Sequence, residues 1–280
     1  MNNMDVLNYG SKLLKNSNIN SYILDSELIL AKVLNSTREK LLINLDKKLD
    51  RKNFKKYKNL ILRRKKNEPI AHIFQNKEFW KYNFIVNGNV LIPRPETEII
   101  VQELLKLTNY YSFKHILDIG TGSGCIIISL LKNRPFCNGT AIDVSRKALK
   151  VAKSNAKMHH LENKIKFINN DIDKFNHNKY DFIVSNPPYI NKFELKRLSS
   201  NVRLFEPKIA LEAGIDGFRE IKKVILRSKK LLKKNGKLIF EIGDKQKKYS
   251  IYLLKKNGFY LNKICTDIST VPRVLISTKI

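Results

Sequence analysis

From His115 onward, short apolar runs alternate with longer segments of helical periodicity, and this alternation constrains the fold more than any other feature. The runs at 115–119, 140–144, 165–169, 181–185 and 237–242 have the length and residue types of strands. Segments 125–133, 145–159 and 218–234 carry apolar residues at three- and four-residue intervals, as helices do. Strand–helix–strand units in series demand right-handed crossovers, so the expected core is a mostly parallel, doubly wound α/β sheet. Residues 261–267 and 274–278 are expected as an antiparallel pair on its edge.

The N-terminal part follows a different rule. Apolar residues recur at helical intervals (Val6, Leu7, Leu13, Leu14, then Ile23, Leu24, Leu28, Ala31), and no proline interrupts them before Pro69. Ser36-Thr-Arg-Glu39 ahead of Leu41 fits a capping box opening a third helix. Residues 1–73 are therefore expected to form a small helical domain. Two β-rich runs then flank the turn dipeptide Asn87-Gly88, which predicts a β-hairpin connector over 74–92. Pro93 and Pro95 break the chain before a helix starting near Glu96, and 93–280 is assigned to the α/β domain.

Composition sets the outer limits. Hydrophobic content of 42% with 28% charged residues describes a globular protein, and no apolar run is long enough to span a bilayer. Met1-Asn2-Asn3-Met4-Asp5 lacks the basic-then-apolar order of a secretion signal, so a cytoplasmic location is expected. Cys125, Cys137 and Cys265 are scattered and never in CxxC spacing, which predicts neither disulfides nor a metal site. Lys plus Arg is 54 against 25 Asp plus Glu, a net charge of +29. Such a field favours anionic partners, and the densest run, 51–66, could serve transient proximity to the ribosome. Lys, Asn and Ile are abundant along the whole chain, however, so compositional drift on solvated faces accounts for the same numbers. Charge alone does not choose.

The first chemical motif is Asp118-Ile-Gly120-Thr121-Gly122-Ser123-Gly124, set after a strand and before a helix. Glycines there let the backbone pass close to a ligand outside the carboxyl ends of the strands. The spacing is G-x-G-x-G, and Cys125 stands where a dinucleotide fingerprint needs Gly or Ala. Asp118 would also sit badly beside a pyrophosphate but suits a cationic amino group. S-adenosyl-L-methionine fits both facts. Asp143 ends the next strand, nineteen residues beyond Gly124, where a carboxylate can accept from both ribose hydroxyls or can cap the following helix. Asn170-Asp171 closes the third strand within reach of an adenine amino group, although a turn-forming Asp fits too. Cys125 is expected to be a small buried residue rather than a reactive thiol.

The second motif is Ser185-Asn186-Pro187-Pro188-Tyr189, at the end of another strand. Consecutive prolines remove backbone donors and stiffen the chain, leaving carbonyl oxygens beside the Asn186 amide. The Asn186 side-chain oxygen and the Pro187 carbonyl can each take one N–H of a planar NH₂ group, with the Tyr189 ring against its π-face. An amide nitrogen is a poor nucleophile because its lone pair is delocalised. Fixing its plane aims that nitrogen at an electrophile, so the work is positioning rather than general-base chemistry.

Over nearly its full length the chain resembles the release-factor glutamine methyltransferase family (PrmC, also called HemK). The resemblance rests on Glu68-Pro-Ile-Ala-His-Ile, Leu91-Ile-Pro-Arg-Pro-Glu-Thr-Glu98, the glycine loop, Asn186-Pro-Pro-Tyr189, Val202-Arg-Leu-Phe-Glu-Pro207 with Ala210-Leu211, and Gly214-Ile-Asp-Gly217. It implies a Rossmann-like S-adenosylmethionine-dependent methyltransferase sheet with an N-terminal domain that grips the substrate. It also implies methylation of the glutamine in the Gly-Gly-Gln loop of class I peptide chain release factors. The sequence is silent on oligomeric state, and a monomer is the default expectation. The family's cofactor loop carries over to Gly120, Thr121, Gly122, Ser123 and Gly124, its ribose-binding acid to Asp143, and its substrate clamp to Asn186, Pro187, Pro188 and Tyr189, with Asn186 touching the cofactor too. Where relatives often place an aromatic after the third-strand acid, this chain has Ile172, so adenine would lie against an aliphatic wall. Asn-Pro-Pro-Tyr is shared with enzymes that methylate exocyclic amines of RNA or DNA. A related family methylates a glutamine of a large-subunit ribosomal protein. Both remain alternatives to the release-factor reading, which Val202-Arg-Leu-Phe-Glu-Pro207 favours.

Overall fold

The proline-free N-terminal stretch builds α1 (Asn3–Lys15), α2 (Tyr22–Val33), α3 (Arg38–Ile43) and α4 (Arg51–Lys65), followed by the short α5 (Ile70–Phe74). The computed structural model describes residues 1–280 and contains two units, Met1–Gln75 with Ser199–Phe205, and Asn76–Leu198 with Glu206–Ile280. α1 starts with a capping box in which the Asn2 side chain accepts from the Asp5 backbone N–H at 2.8 Å and Asp5 accepts from Asn2 at 3.1 Å. Gly10 lets the Tyr57 hydroxyl approach so closely that a Cβ there would lie 1.8 Å from it. That hydroxyl bonds Ser26 Oγ at 2.6 Å, and Ser26 donates to the Leu7 carbonyl at 3.1 Å. In the basic helix α4 only Tyr57 and Ile61 are buried. The cap of α3 is Thr37, not Ser36, and its hydroxyl accepts from Lys40 N–H at 3.3 Å. Counted from Thr37, Glu39 is one position too early to complete a capping box.

The second unit opens with a hairpin of β1 (Lys77–Phe79) and β2 (Tyr82–Phe84), in register Phe79↔Tyr82. Its turn is Trp80-Lys81, with Trp80 at φ 60, rather than Asn87-Gly88. Burial decides this. Phe79 and Phe84 are both fully buried, meet edge-on at 6.1 Å, and join the apolar core with Ile100, Val101 and Leu104. Asn87-Gly88 forms a separate turn closed by Val90 N–H to the Asn87 carbonyl. The hairpin is thus a packed part of the second unit.

After α6 (Glu98–Leu107) come β3 (His115–Ile119), α7 (Cys125–Asn133), β4 (Asn138–Asp143), α8 (Arg146–Met158), β5 (Ile165–Asn169) and β6 (Tyr180–Ser185). The rest comprises α9 (Ser200–Phe205), α10 (Arg219–Leu231), β7 (Leu232–Glu241), α11 (Lys247–Lys256), β8 (Phe259–Thr266) and β9 (Pro272–Lys279). α10 stops before the predicted end at 234, where Asn235 at φ 62 and Gly236 interrupt the pairing of β7 with β6. Sheet order is β5-β4-β3-β6-β7-β9-β8, parallel from β5 to β7 and antiparallel at β9 and β8. Successive strand residues feed opposite faces. Ile116, Val184 and Ile239 pack with α6, α7 and α8, whereas Leu117, Ile183 and Leu238 pack with α10 and α11. Segment Ser199–Phe205 groups with the helical unit, whereas Glu206, which accepts from Ile92 N–H, belongs to the second unit. No helix is long and apolar enough to cross a membrane.

Candidate active site

β3 leads through α7 to β4 on one side, while β6 lies against β3 on the other. Between β3 and β6 the winding reverses, and the carboxyl ends of such strands splay apart into a crevice. A cavity of about 520 Å³ opens there. Its walls come from the ends of β3, β4, β5 and β6 and from the segment ahead of α6.

The glycine loop forms one wall. Gly120, Gly122 and Gly124 adopt φ of 70°, 57° and 81°. A Cβ on Gly120 would meet nothing within 4 Å and one on Gly122 only the Gly120 carbonyl at 3.9 Å, so both glycines leave space open beside the cavity they line. Thr121 and Ser123 line it too. Gly124 does not. A Cβ there would lie 2.9 Å from Ile128 of α7 and 3.4 Å from Ala152 of α8, so the glycine lets the loop sit close to both helices. The loop is anchored by the buried Asn155, whose amide donates to the carbonyls of Ser123 (2.8 Å) and Ile85 (3.0 Å) and accepts from Ile85 N–H (2.7 Å).

Asp118 lies beneath the loop, fully buried and off the cavity wall, so the expected direct exposure to a ligand is not seen. Thr121 Oγ1 donates to its Oδ2 at 2.7 Å, and Oδ1 has no partner. Burial pushes its carboxyl up to about 7, and the charge of Asp143 adds to the rise. Asp143 does line the cavity. Its carboxylate accepts from Gly122 N–H (3.0 Å) and Ser145 N–H (2.8 Å), which leaves further lone pairs unused. Burial raises its pKa, opposed by those two bonds. The cap of α8 is Ser145, which accepts from Ala148 N–H at 3.1 Å. Asn170, Asp171 and Ile172 complete the far wall, and Asp171 also closes a turn by accepting from Asp173 N–H at 3.0 Å. Cys125 borders the cavity with its thiol pushed up to about 12 by burial, which makes it inert.

Opposite stand Asn186, Pro187 and Pro188. Ser185 Oγ donates to the Ile119 carbonyl at 2.9 Å and holds β6 against β3 just before this turn. Asn186 Nδ2 donates to Thr97 Oγ1 at 3.0 Å, and Thr97 Oγ1 donates to Glu241 Oε2 at 2.6 Å. An ionised carboxylate only accepts, so the hydroxyl points at it and offers its lone pair to Nδ2. Asn186 Oδ1 is then the group left for the cavity. Tyr189 is not on the wall. Its ring packs so close to Gly243 that a Cβ there would lie 2.8 Å away. Its hydroxyl is pushed up to about 12 by burial, with Glu241 adding to the rise.

Arg94 and Pro207 frame the same cavity. The side chain of Glu206, 1% exposed, accepts from Arg94 Nη2 at 2.6 Å and from Ile92 N–H at 3.0 Å, which joins two segments more than a hundred residues apart. Both segments carry the family resemblance, yet no local pattern in the sequence marks Arg94, Thr97 or Glu206 for a role. Glu241, at the end of a plain apolar strand, carried no signal.

Residues 5–74 match the PrmC N-terminal domain and residues 95–206 the methyltransferase small domain. A release factor glutamine methyltransferase of Clostridium acetobutylicum is 34% identical, covering 98% of this chain and 98% of that protein. The chain belongs to this family. The release factor glutamine methyltransferase of Caulobacter vibrioides is 35% identical over 95% of this chain and 92% of its own length. A bifunctional methyltransferase of Rickettsia bellii is 36% identical over 96% of this chain, but the chain spans only 53% of that protein. In fold, the family member is similar to the ribosomal protein L11 methylase of Lactobacillus delbrueckii (TM-score 0.51, 18% identity, 69% of this chain and 82% of that one). A methyltransferase of Pyrococcus furiosus is similar to the same degree (TM-score 0.51, 20% identity, 69% and 87%).

Proposed function

We propose that this chain transfers a methyl group from S-adenosyl-L-methionine to the side-chain amide nitrogen (N5) of the glutamine in the Gly-Gly-Gln loop of class I peptide chain release factors. The observation that carries this reading is the Asn186 amide, pinned through its nitrogen so that an oxygen acceptor remains for the cavity. The residues around the glycine loop suit the cofactor. Two glycines leave the wall open, Asp143 has lone pairs for ribose hydroxyls, Ile172 offers an apolar face, and Asp118 keeps one buried oxygen unpartnered near the loop. When bound, the cofactor would supply an electrophilic sulfonium methyl group.

The chain's own residues then have separable tasks. Asn186 Oδ1 accepts one N–H of the substrate amide and the Pro187 carbonyl the other, which fixes the amide plane and turns its nitrogen toward the methyl donor. Pro187 and Pro188 hold that acceptor pair rigid. Tyr189, packed on Gly243, buttresses the turn from behind. Once the nitrogen carries the methyl group it is far more acidic, and its surplus proton leaves to solvent without a dedicated base. The bond Arg94 makes to Glu206 shapes the entrance through which a loop glutamine reaches the clamp.

Incubation with a purified release factor and cofactor carrying a labelled methyl group tests the reading. Label is expected in the release factor and is expected to vanish when its loop glutamine becomes alanine. Label in ribosomal RNA or in a ribosomal protein instead would overturn it.

A further inference from the structure

The substrate clamp has a hidden backing. Glu241 is 2% exposed and ends β7, and its carboxylate accepts from Thr97, which lies ahead of α6 and is likewise 2% exposed. Thr97 in turn accepts from Asn186, at the end of β6. Three residues from three distant parts of the sequence thus form one chain of hydrogen bonds that ends on the cavity wall. Neither Glu241 nor Tyr189 lines that wall.

The direction of such a chain is set by its terminal acceptor. With Glu241 ionised, every proton in the chain points toward it, and Asn186 must present its nitrogen to Thr97 and its oxygen to the cavity. With Glu241 protonated, the carboxyl can donate to Thr97, whose own proton is then free to bond Asn186 Oδ1. A flipped amide would show the cavity an NH₂ donor where a substrate NH₂ needs an acceptor.

We propose that Glu241 and Thr97 are positioning residues that fix which end of the Asn186 amide faces the substrate, so that ionised Glu241 is required for productive binding of the substrate amide. The proposal rests on the methyl-transfer reading above. Several groups tune the switch. Burial dominates and pushes Glu241 up to about 7, the charge of Glu96 raises it further, and Thr97, Arg273 and Asn186 oppose the rise. Tyr189 stands beside the same carboxylate with its hydroxyl neutral at these pH values.

The test uses the intact chain with a release factor and labelled cofactor from about pH 6 to 9. Glu241→Gln and Thr97→Val are each expected to lower kcat by about 10- to 100-fold, with cofactor affinity changed by less than about twofold. Thr97→Ser, which keeps the hydroxyl, is expected to restore most of the rate. The double variant should be no slower than either single one, because the residues act as a unit. The wild-type rate is expected to fall on the acid side of about pH 7, and Glu241→Gln should lack that limb. Unchanged kcat in both variants, or equal losses of kcat and cofactor affinity, would overturn the relay while leaving methyl transfer intact. The side-chain ¹⁵N–¹H signals of Asn186 judge it independently of any substrate. They should shift with pH around 7 in the wild type and stay still in Glu241→Gln, and a pH-insensitive wild-type signal rejects the relay even if no release factor is methylated.

Discussion

The loop after β3 bends through three glycines at positive φ, whereas the loop after β6 runs straight into two prolines. Both lie at the reversal point of the sheet, and each is associated with a buried carboxylate pushed up to about 7, Asp118 for the first and Glu241 for the second. The partners differ. Asp118 keeps one oxygen unpartnered, while the carboxylate of Glu241 is engaged by Thr97, which in turn accepts from Asn186. A glycine loop yields space to whatever binds, so its acid keeps capacity in reserve. A proline loop imposes geometry, so its acid is used within the protein to hold one side chain still. Cofactor affinity should therefore belong to the first region and turnover to the second.

Substitutions can break that division. The largest effect is expected for Asn186→Ala, which removes the clamp's acceptor. Its kcat should fall by about 10²- to 10³-fold while cofactor affinity, measured by calorimetry, changes by less than about threefold. Equal losses would merge the two regions. Gly120→Ala sharpens the comparison from the other side. The new methyl group enters open space beside the cavity, so cofactor affinity is expected to drop about tenfold with little change in kcat at saturation.

Asp118→Asn tests the reserve. Its carboxyl titrates at about 7 in the fold against an ordinary 3.8, so the fold favours the protonated form. That contribution to stability is present below about pH 4 and is lost as pH rises toward 7. At about 1.4 kcal/mol per unit of that rise, the neutral amide should stabilise the ligand-free protein by up to about 4 kcal/mol at pH 8 and by little near pH 4, read from urea unfolding. Gly124→Ala should have the smallest effect, about 1 kcal/mol of stability beyond that of Gly120→Ala. Both positions share backbone strain, but only the Gly124 methyl meets Ile128.

The local sequence carried the sheet and half of the site. Short, nearly continuous apolar runs between helical stretches suffice for a parallel sheet, because crossover handedness leaves few topologies. Gly120, Gly122, Asp143 and Asn186 were legible because each sits at a strand end or within three residues of one, where the crevice must open. The hairpin turn was misplaced because Asn87-Gly88 is a strong local turn pair, yet burial of Phe79 and Phe84 required the reversal between them. Tertiary demand overrode local preference.

The residues that hold the site in place were decided only by the folded chain. Thr97, Asn186 and Glu241 are separated by dozens of residues, and so are Glu206 and Arg94, yet each set shares hydrogen bonds of 2.6 to 3.0 Å. A buried polar side chain is costly until it finds a partner, and sequence spacing says nothing about which partner lies across the sheet edge. The chain's own order thus determines where ligands can enter, because strand ends and flexible or rigid turns are local properties. Which way a clamp residue faces depends on the long-range packing that brings its partners within bonding distance.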